Sequence, residues 1–315
     1  MVRVKGNTLK CFLPLLMAVA VSWCSSILVD AGLRPANHGQ HFNKQRTRME
    51  GRVPGIMAWM DSLYEIGAMR DTFVIRDGYR LHSCYSAAPQ QSAKTAVIAH
   101  GYQANPVNMM MIARMFRDSL GYNVWLPSMR YHGHSSGQAA QFGWKDRLDL
   151  LFWSEMAHTH FNDTLQVFHG ISMGGAAVMM ASGEETKPYV RGFIEDCGFS
   201  ELTGEIRYLF DERYRVHLDR YIPKASAITE KRYGWSFEDA SSVAQLRKCT
   251  KPMLFIHGGA DDFVPTRMVG ENYMAKEQGY RELWIAPGSR HAMSYPEHQA
   301  EYTEIVRTFL KEHVE

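Results

Sequence analysis

The sequence feature that most constrains the fold is the pentapeptide Gly-Ile-Ser-Met-Gly at residues 170–174. An apolar, strand-like run at 165–168 precedes it, and small residues typical of a closely packed helix follow it at 174–180. Glycines on either side of Ser172 permit a turn in which the backbone approaches itself too closely for Cβ atoms. This pattern between a strand and a helix predicts a nucleophile elbow that exposes the Ser172 hydroxyl above a sheet. Because any glycine-rich turn with a serine can match it, the prediction depends on the rest of the chain.

The rest of the chain alternates between strand-like and helix-like segments after an initial hairpin. Residues 72–75 and 79–85 flank an Asp77-Gly78 turn and predict two antiparallel strands. Six apolar, strand-like runs follow, with helical segments between them: 95–99, 122–126, 165–168, 192–195, 253–256 and 282–285. This order predicts an α/β fold with a mostly parallel, doubly wound sheet and an antiparallel N-terminal hairpin.

One segment, residues 201–246, breaks the alternation. It is rich in Arg, Tyr and charged residues, contains Pro223 and has no convincing strand. It is therefore interpreted as a mainly helical insertion between two strands of the sheet. Because ligands bind at the carboxyl edge of open α/β sheets, we expect this insertion to form a lid over that edge.

Two residues after later strands supply the partners that a serine nucleophile needs. A serine hydroxyl is a poor nucleophile unless a base takes its proton and an acid orients the base. Asp261 follows the strand at 253–256, and His291 follows the strand at 282–285. The chain order Ser, Asp, His is the one expected when the nucleophile lies on such an elbow. The sequence therefore predicts a catalytic triad of Ser172, Asp261 and His291.

The acid has a neighbour of the same type, Asp262, and only one of the two can meet His291. Asp261 is favoured because it begins the pattern Asp-x-x-Val-Pro, and Asp262 is then expected to cap the helix that starts after Pro265.

Acyl transfer also creates an oxyanion, which backbone N–H groups can stabilise. Met173 follows the nucleophile, and Tyr102 lies in the turn after the strand at 95–99, so these two N–H groups are the predicted donors. The alternative for His100-Gly101 is an ordinary turn at the exit of a strand.

Composition and motifs indicate neither a cofactor nor a metal. The 315 residues carry a formal net charge of +2, with no basic face that would indicate a nucleic acid partner. His158-x-His160 with Asp163 has the chemistry of metal ligands, but no second cluster accompanies it. The glycine-rich phosphate motifs of nucleotide-binding proteins are absent from the sequence.

The N-terminus differs in composition from the rest. Basic residues precede an apolar run at 11–21 and a weaker apolar tail to Val29, so residues 1–31 are predicted to be a signal peptide or membrane anchor. Cleavage after Ala31, lipidation of Cys24 and retention as an anchor are the alternatives. Each places the remainder outside the cytoplasm, as a secreted, periplasmic or anchored protein.

The polar residues 32–56 are predicted to be a linker, and residues 57–315 a single domain that includes the lid. In that domain, Cys84, Cys197 and Cys249 are expected to be free buried thiols. A disulfide between Cys197 and Cys249 is the alternative.

These motifs together resemble the α/β-hydrolase superfamily. The specific resemblance is to exported or membrane-anchored serine hydrolases related to the serine aminopeptidase and lysophospholipase-like groups, over residues 71–312. It rests on the His100-Gly101 turn, the elbow, His257-Gly258-x-x-Asp261-x-x-Val264-Pro265 and Gly288-x-x-His291. One loop departs from the family's Asp-x-Arg-Gly-His-Gly-x-Ser pattern, with Ser128 in place of Asp and Tyr131 in place of Gly.

The resemblance implies a serine hydrolase that cleaves a small or lipid-like carboxylic ester through an acyl-enzyme, without a cofactor. One alternative is a peptidase that acts on short peptides. It needs an acid in the lid to hold a substrate amine, and nothing in the sequence selects among Glu201, Glu205 and Asp211. The other is a non-catalytic cell-surface binding protein. Oligomeric state is not predicted.

Overall fold

The computed structural model describes residues 24–35, 41–217 and 219–315, in which eight strands form a single sheet. The strands are β1 Met69–Arg76, β2 Tyr79–Ser86, β3 Lys94–Ala99, β4 Asn123–Pro127, β5 Leu165–Ile171, β6 Val190–Asp196, β7 Met253–Gly258 and β8 Arg281–Ala286. Their spatial order is β1-β2-β4-β3-β5-β6-β7-β8. Strand β2 is antiparallel to β1 and β4, and all other neighbours are parallel. The predicted α/β fold is confirmed.

Helices cover both faces of this sheet. Those between residue 41 and β5 are Phe42–Arg52, Ile56–Glu65, Met110–Arg114 and Asp146–Phe161, with a 3₁₀ turn at Pro106–Met109 and a π turn at Met115–Ser119. Those after β5 are Met173–Ser182, Leu202–Arg207, Ile222–Tyr233, Ser242–Leu246, Arg267–Ala275, Ser294–Glu297 and Gln299–Phe309, with π turns at Tyr208–Arg213 and Leu310–Val314.

The apolar strands supply two separate cores because successive side chains of a strand point to opposite faces. In β3, Ala96 and Ile98 belong to one core, whereas Val97 and Ala99 belong to the other. Burial on both faces explains why the inner strands read as continuous apolar runs in the sequence.

The segment between β6 and β7 is mainly helical, as its lack of strand patterning indicates. Its helices are Leu202–Arg207, Ile222–Tyr233 and Ser242–Leu246. An isolated antiparallel bridge between Glu201 and Ser241 joins its two ends.

The predicted linker at 32–56 is wrong for much of its length. Residues Phe42–Arg52 form a helix, on which Met49 is fully buried, and Val53 and Ile56 continue the same core. Its polar face also makes contacts: the Gln45 side chain donates to the Gln103 carbonyl at 3.0 Å. A helix that buries only one narrow stripe has a low average hydropathy, which is why its composition resembled that of a linker.

The N-terminal segment also differs from expectation where it can be followed. Residues 1–23, which hold most of the predicted signal peptide or anchor, lie outside the described residues. The prediction of export depends mainly on these residues. Residues 24–33 are helical and pack on the domain, with Val29 and Leu33 only 1% and 2% exposed. The expectation that this part lies outside the fold is wrong. Over the described ranges, no helix combines the length and apolar character needed to cross a bilayer.

Candidate active site

Ser172 lies on a sharp turn between β5 and the helix Met173–Ser182. Its backbone has φ 60° and ψ −122°, a conformation that non-glycine residues rarely adopt. The turn requires its glycines, because a Cβ on Gly170 would lie 2.1 Å from the Gly174 carbonyl oxygen, and one on Gly174 would lie 2.2 Å from that of Ala99. The Ser172 N–H donates to the Asp196 carbonyl at 2.8 Å, which ties the turn to β6. This geometry is that of the predicted nucleophile elbow.

The two predicted partners of Ser172 meet it in a chain of hydrogen bonds. His291 Nδ1 lies 2.8 Å from Asp261 Oδ2, and His291 Nε2 lies 2.9 Å from Ser172 Oγ. Since a carboxylate only accepts, the ring proton belongs on Nδ1, and the Ser172 hydroxyl donates to Nε2. The sequence separates these residues by 119 and 30 positions, and the strand ends bring them together.

Asp261 is held as a carboxylate. Burial raises its pKa, but the nearby rings of His257 and His291, whose nitrogens lie 3.4 and 2.8 Å from Asp261 Oδ2, outweigh burial and lower the pKa to about 2. Its Oδ1 also accepts from the N–H groups of Phe263 and Val264, at 2.9 and 3.0 Å. The acid is therefore ionised at neutral pH, and hydrogen bonds from His291 and from the N–H groups of Phe263 and Val264 orient it.

Asp262 does not have the role expected of it. Its side chain is 56% exposed, and its Oδ1 lies 3.0 Å from Arg213 Nη1 of the lid. The helix Arg267–Ala275 begins after Thr266 with no side-chain cap, so the predicted capping role is wrong. The Tyr208 hydroxyl also donates to the Asp262 carbonyl, at 3.1 Å. Asp262 thus connects the lid to the loop that carries Asp261.

The two predicted oxyanion donors lie close to Ser172, Tyr102 in a loop and Met173 at the start of a helix. Met173 is the next residue, and a Cβ on Gly101, just before Tyr102, would lie 3.3 Å from the Ser172 Cβ. Tyr102 and Met173 both line the cavity that contains Ser172. Their N–H groups remain the predicted donors.

His100 fixes the turn before Tyr102. Its Nδ1–H donates to the Gly101 carbonyl at 2.8 Å, and its Nε2 accepts from the Met129 N–H at 3.0 Å. Complete burial lowers the pKa of His100 to about 3, so the ring is neutral and structural. Nearby, Tyr131, which replaces the family's glycine, has φ 64°, the conformation that a glycine would adopt without strain.

A largely apolar cavity of about 310 Å³ lies above Ser172. The lid supplies part of its wall through Leu202, Ile206, Leu209 and Phe210. Phe142 and Phe263 contribute to the wall from the loops that follow β4 and β7. Residues 28 and 31–33 of the N-terminal segment complete the lining, a contribution that sequence reasoning missed.

Glu205 stands out in this apolar lining. It is 5% exposed, and neither carboxylate oxygen has a hydrogen-bond partner within the described part of the chain. Burial, followed by the negative charge of Asp261, raises its pKa to about 9. Of the three lid acids that the sequence left open, Glu205 lines the cavity, whereas Glu201 and Asp211 do not. The structure therefore separates three residues that looked equivalent.

The pKa of Glu205 predicts how its replacement changes stability with pH. Between an ordinary value near 4.5 and about 9, the folded protein binds a proton that the unfolded chain lacks, so stability falls as pH rises. Glu205→Gln cannot ionise. The free energy of unfolding of Glu205→Gln minus that of wild type is therefore expected to increase with pH, by up to about 1.4 kcal/mol per pH unit in this window.

Thermal unfolding between pH 5 and pH 8 measures this difference. Glu201→Gln, which alters an exposed acid of the same insertion, is the matched control and should follow the wild-type curve. Parallel pH curves for Glu205→Gln and wild type would show that Glu205 is already ionised.

Comparison with known proteins agrees with this geometry. The sequence profile of the prolyl oligopeptidase family matches residues 128–315, which include all three residues of the predicted triad. The chain belongs to the prolyl oligopeptidase family. It is a hydrolase of the α/β-hydrolase superfamily, as the motifs indicated, and the family favours an enzyme over a non-catalytic binding protein. The finer resemblance to the serine aminopeptidase group stays a prediction.

Individual relatives of this prolyl oligopeptidase family member include both uncharacterised proteins and enzymes. The uncharacterised protein YqkD of Bacillus subtilis is 30% identical over 243 residues, which cover 76% of this chain and 79% of YqkD. An esterase of Pyrococcus furiosus superposes with a TM-score of 0.65 and 19% identity, over 80% of this chain and 94% of the esterase. The acylaminoacyl peptidase of Pyrococcus horikoshii has a TM-score of 0.57 and 17% identity, over 78% of this chain and 41% of the peptidase. At these identities, the two structures share the fold.

Proposed function

We propose that the protein is a serine esterase that cleaves carboxylic esters with an apolar acyl group. The observation that carries this proposal is the hydrogen-bonded chain Asp261–His291–Ser172 opening directly into a largely apolar cavity. Such a cavity favours an aliphatic or aromatic acyl group, because removing the apolar surface of that group from water contributes favourably to the free energy of binding. An esterase among the structural neighbours supports the same proposal.

In the proposed reaction, Ser172 Oγ attacks the carbonyl carbon of the ester while His291 Nε2 takes the hydroxyl proton. The carbonyl oxygen becomes an oxyanion, which the N–H groups of Tyr102 and Met173 stabilise. The C–O bond to the alcohol then breaks, and His291 returns the proton to the leaving oxygen. Water, deprotonated by His291, then attacks the carbonyl carbon of the acyl-Ser172 ester. The bond to Ser172 Oγ breaks, His291 returns the proton to that oxygen, and the acid is released. Asp261 keeps the imidazolium stable and oriented throughout.

A series of p-nitrophenyl esters from acetate to palmitate tests the proposal. We expect turnover to rise with chain length until the cavity is filled. Leu209→Ala and Phe210→Ala should move the optimum to longer chains, because both residues line the cavity. Val216→Ala, at an exposed apolar position of the same insertion, is the control. If no ester in the series is cleaved although a fluorophosphonate labels Ser172, the esterase proposal fails.

A second function, cleavage of short peptides with a free amino terminus, is favoured by Glu205. A substrate ammonium group placed beside it would supply the missing partner and ionise the carboxyl group. Aminoacyl p-nitroanilides and their N-acetylated forms distinguish this function, since only the free amine can pair with Glu205. In a peptidase, Glu205→Gln should raise KM for the free-amine substrates by about tenfold or more. This is the loss in affinity expected when one buried charge-assisted hydrogen bond is removed. Preference for the N-acetylated forms would exclude this role.

A further inference from the structure

The N-terminal segment, residues 24–33, is fastened to the lid. Arg232, on the lid helix Ile222–Tyr233, donates from Nη1 to Asp30 Oδ1 at 3.0 Å and from Nη2 to Ser26 Oγ at 2.7 Å. These contacts join residues about 200 positions apart in the sequence. They place the segment along the lid rather than away from the domain.

The end of the same segment is fastened to loops next to the nucleophile. The Tyr102 hydroxyl donates to the Gly32 carbonyl, and the Ala140 N–H donates to the Leu33 carbonyl at 2.8 Å. Tyr102 is also the residue whose N–H is proposed to hold the oxyanion. The segment thus spans the space between the lid and the reacting serine.

Side chains on the segment divide between the core and the cavity. Val29 and Leu33 pack in a core with lid residues such as Ile222, and Leu33 also borders the cavity. Leu28 and Ala31 line the cavity that contains Ser172. A segment that only tethers the domain needs no such division between a buried face and a ligand-facing surface.

We propose that residues 24–33 are a retained wall of the substrate cavity, and that Leu28 and Ala31 set the acyl chain length it accepts. The proposal deepens the esterase function and rests on it. Cleavage after Ala31 would remove both side chains, together with Asp30 and its ion pair to Arg232. The segment predicted from its hydropathy as the end of a leader is then part of the working enzyme.

Substitutions on the segment of the full-length protein test this role. Leu28→Trp fills part of the cavity and is expected to lower the ratio of kcat/KM for long to short p-nitrophenyl esters by about tenfold or more, the effect of losing room for one or two methylenes. Ile27→Trp, at the neighbouring position that is 48% exposed and outside the cavity, should leave the ratio unchanged. Ala31→Leu is a second cavity-filling change, at an exposed position that tolerates a larger side chain.

The outcomes separate the two proposals. If the wild-type protein hydrolyses none of the esters, the proposed esterase function is wrong. With wild-type turnover present, an unchanged chain-length ratio in both Leu28→Trp and Ala31→Leu would overturn the role of the segment. Intact mass spectrometry of the protein from its native host adds a second readout: a mature chain that begins at Gly32 would overturn the proposal, and one that includes Leu28 is expected. Melting temperatures show whether each variant is folded.

Discussion

Ser172→Ala is expected to remain folded and to lose ester hydrolysis by ~10³-fold or more, because the members of a triad act as a unit. Alanine fits the elbow as serine does, because both carry a Cβ and have a similar cost of positive φ, which contacts of the surrounding structure offset. Activity on p-nitrophenyl butyrate and labelling by a fluorophosphonate measure the loss.

Ser182→Ala is the matched control for this change. Ser182 is a buried serine at the far end of the same helix, where its hydroxyl donates to the Met179 carbonyl at 2.7 Å. Its replacement should preserve both labelling and turnover. Undiminished labelling of Ser172→Ala would assign the nucleophile to another residue.

Asp261→Asn should reduce kcat by about 10³- to 10⁴-fold. The side-chain oxygen of asparagine can still accept from the Phe263 and Val264 N–H groups, so the loop is expected to keep its shape. The amide NH₂ then faces His291 Nδ1, which must accept, and the ring proton moves to Nε2. A ring protonated at Nε2 cannot take the proton of Ser172.

Asp262→Asn is the control for Asp261→Asn because it changes the adjacent carboxylate in the same way. It removes an exposed ion pair with Arg213, an interaction worth about 1 kcal/mol or less. Turnover should therefore stay within a few-fold of wild type. A larger loss in Asp262→Asn than in Asp261→Asn would contradict the geometry of the site.

The sequence predicts the framework of the site well because the framework depends on local patterns. Apolar runs of strand length mark the sheet, and Ser172, Asp261 and His291 each follow such a run. Parallel strands end at one edge, so residues far apart in the chain meet there once the topology is recognised.

Other features depend on tertiary contacts that leave no local pattern. An apolar helix at 24–33 has the same hydropathy whether it lies in a bilayer or against an apolar cavity. The single buried methionine of the helix Phe42–Arg52 is too weak a signal to separate it from a linker. Glu205 differs from Glu201 only in what surrounds it, and Asp262 lies beside Arg213 only in the folded chain.

The bridge between Glu201 and Ser241 has an evolutionary consequence. The crossover from β6 to β7 leaves the body of the protein and returns to it at this one place, where the Ser242 N–H also donates to the Ser200 carbonyl at 2.8 Å. Insertions and deletions between these points change the length of a segment whose two ends are already joined by these contacts. Because the entropic cost of closing a loop grows only slowly with its length, a longer segment destabilises the fold little. The segment can therefore diverge as an exchangeable module, acquiring new substrate preferences in descendants that inherit the same catalytic framework.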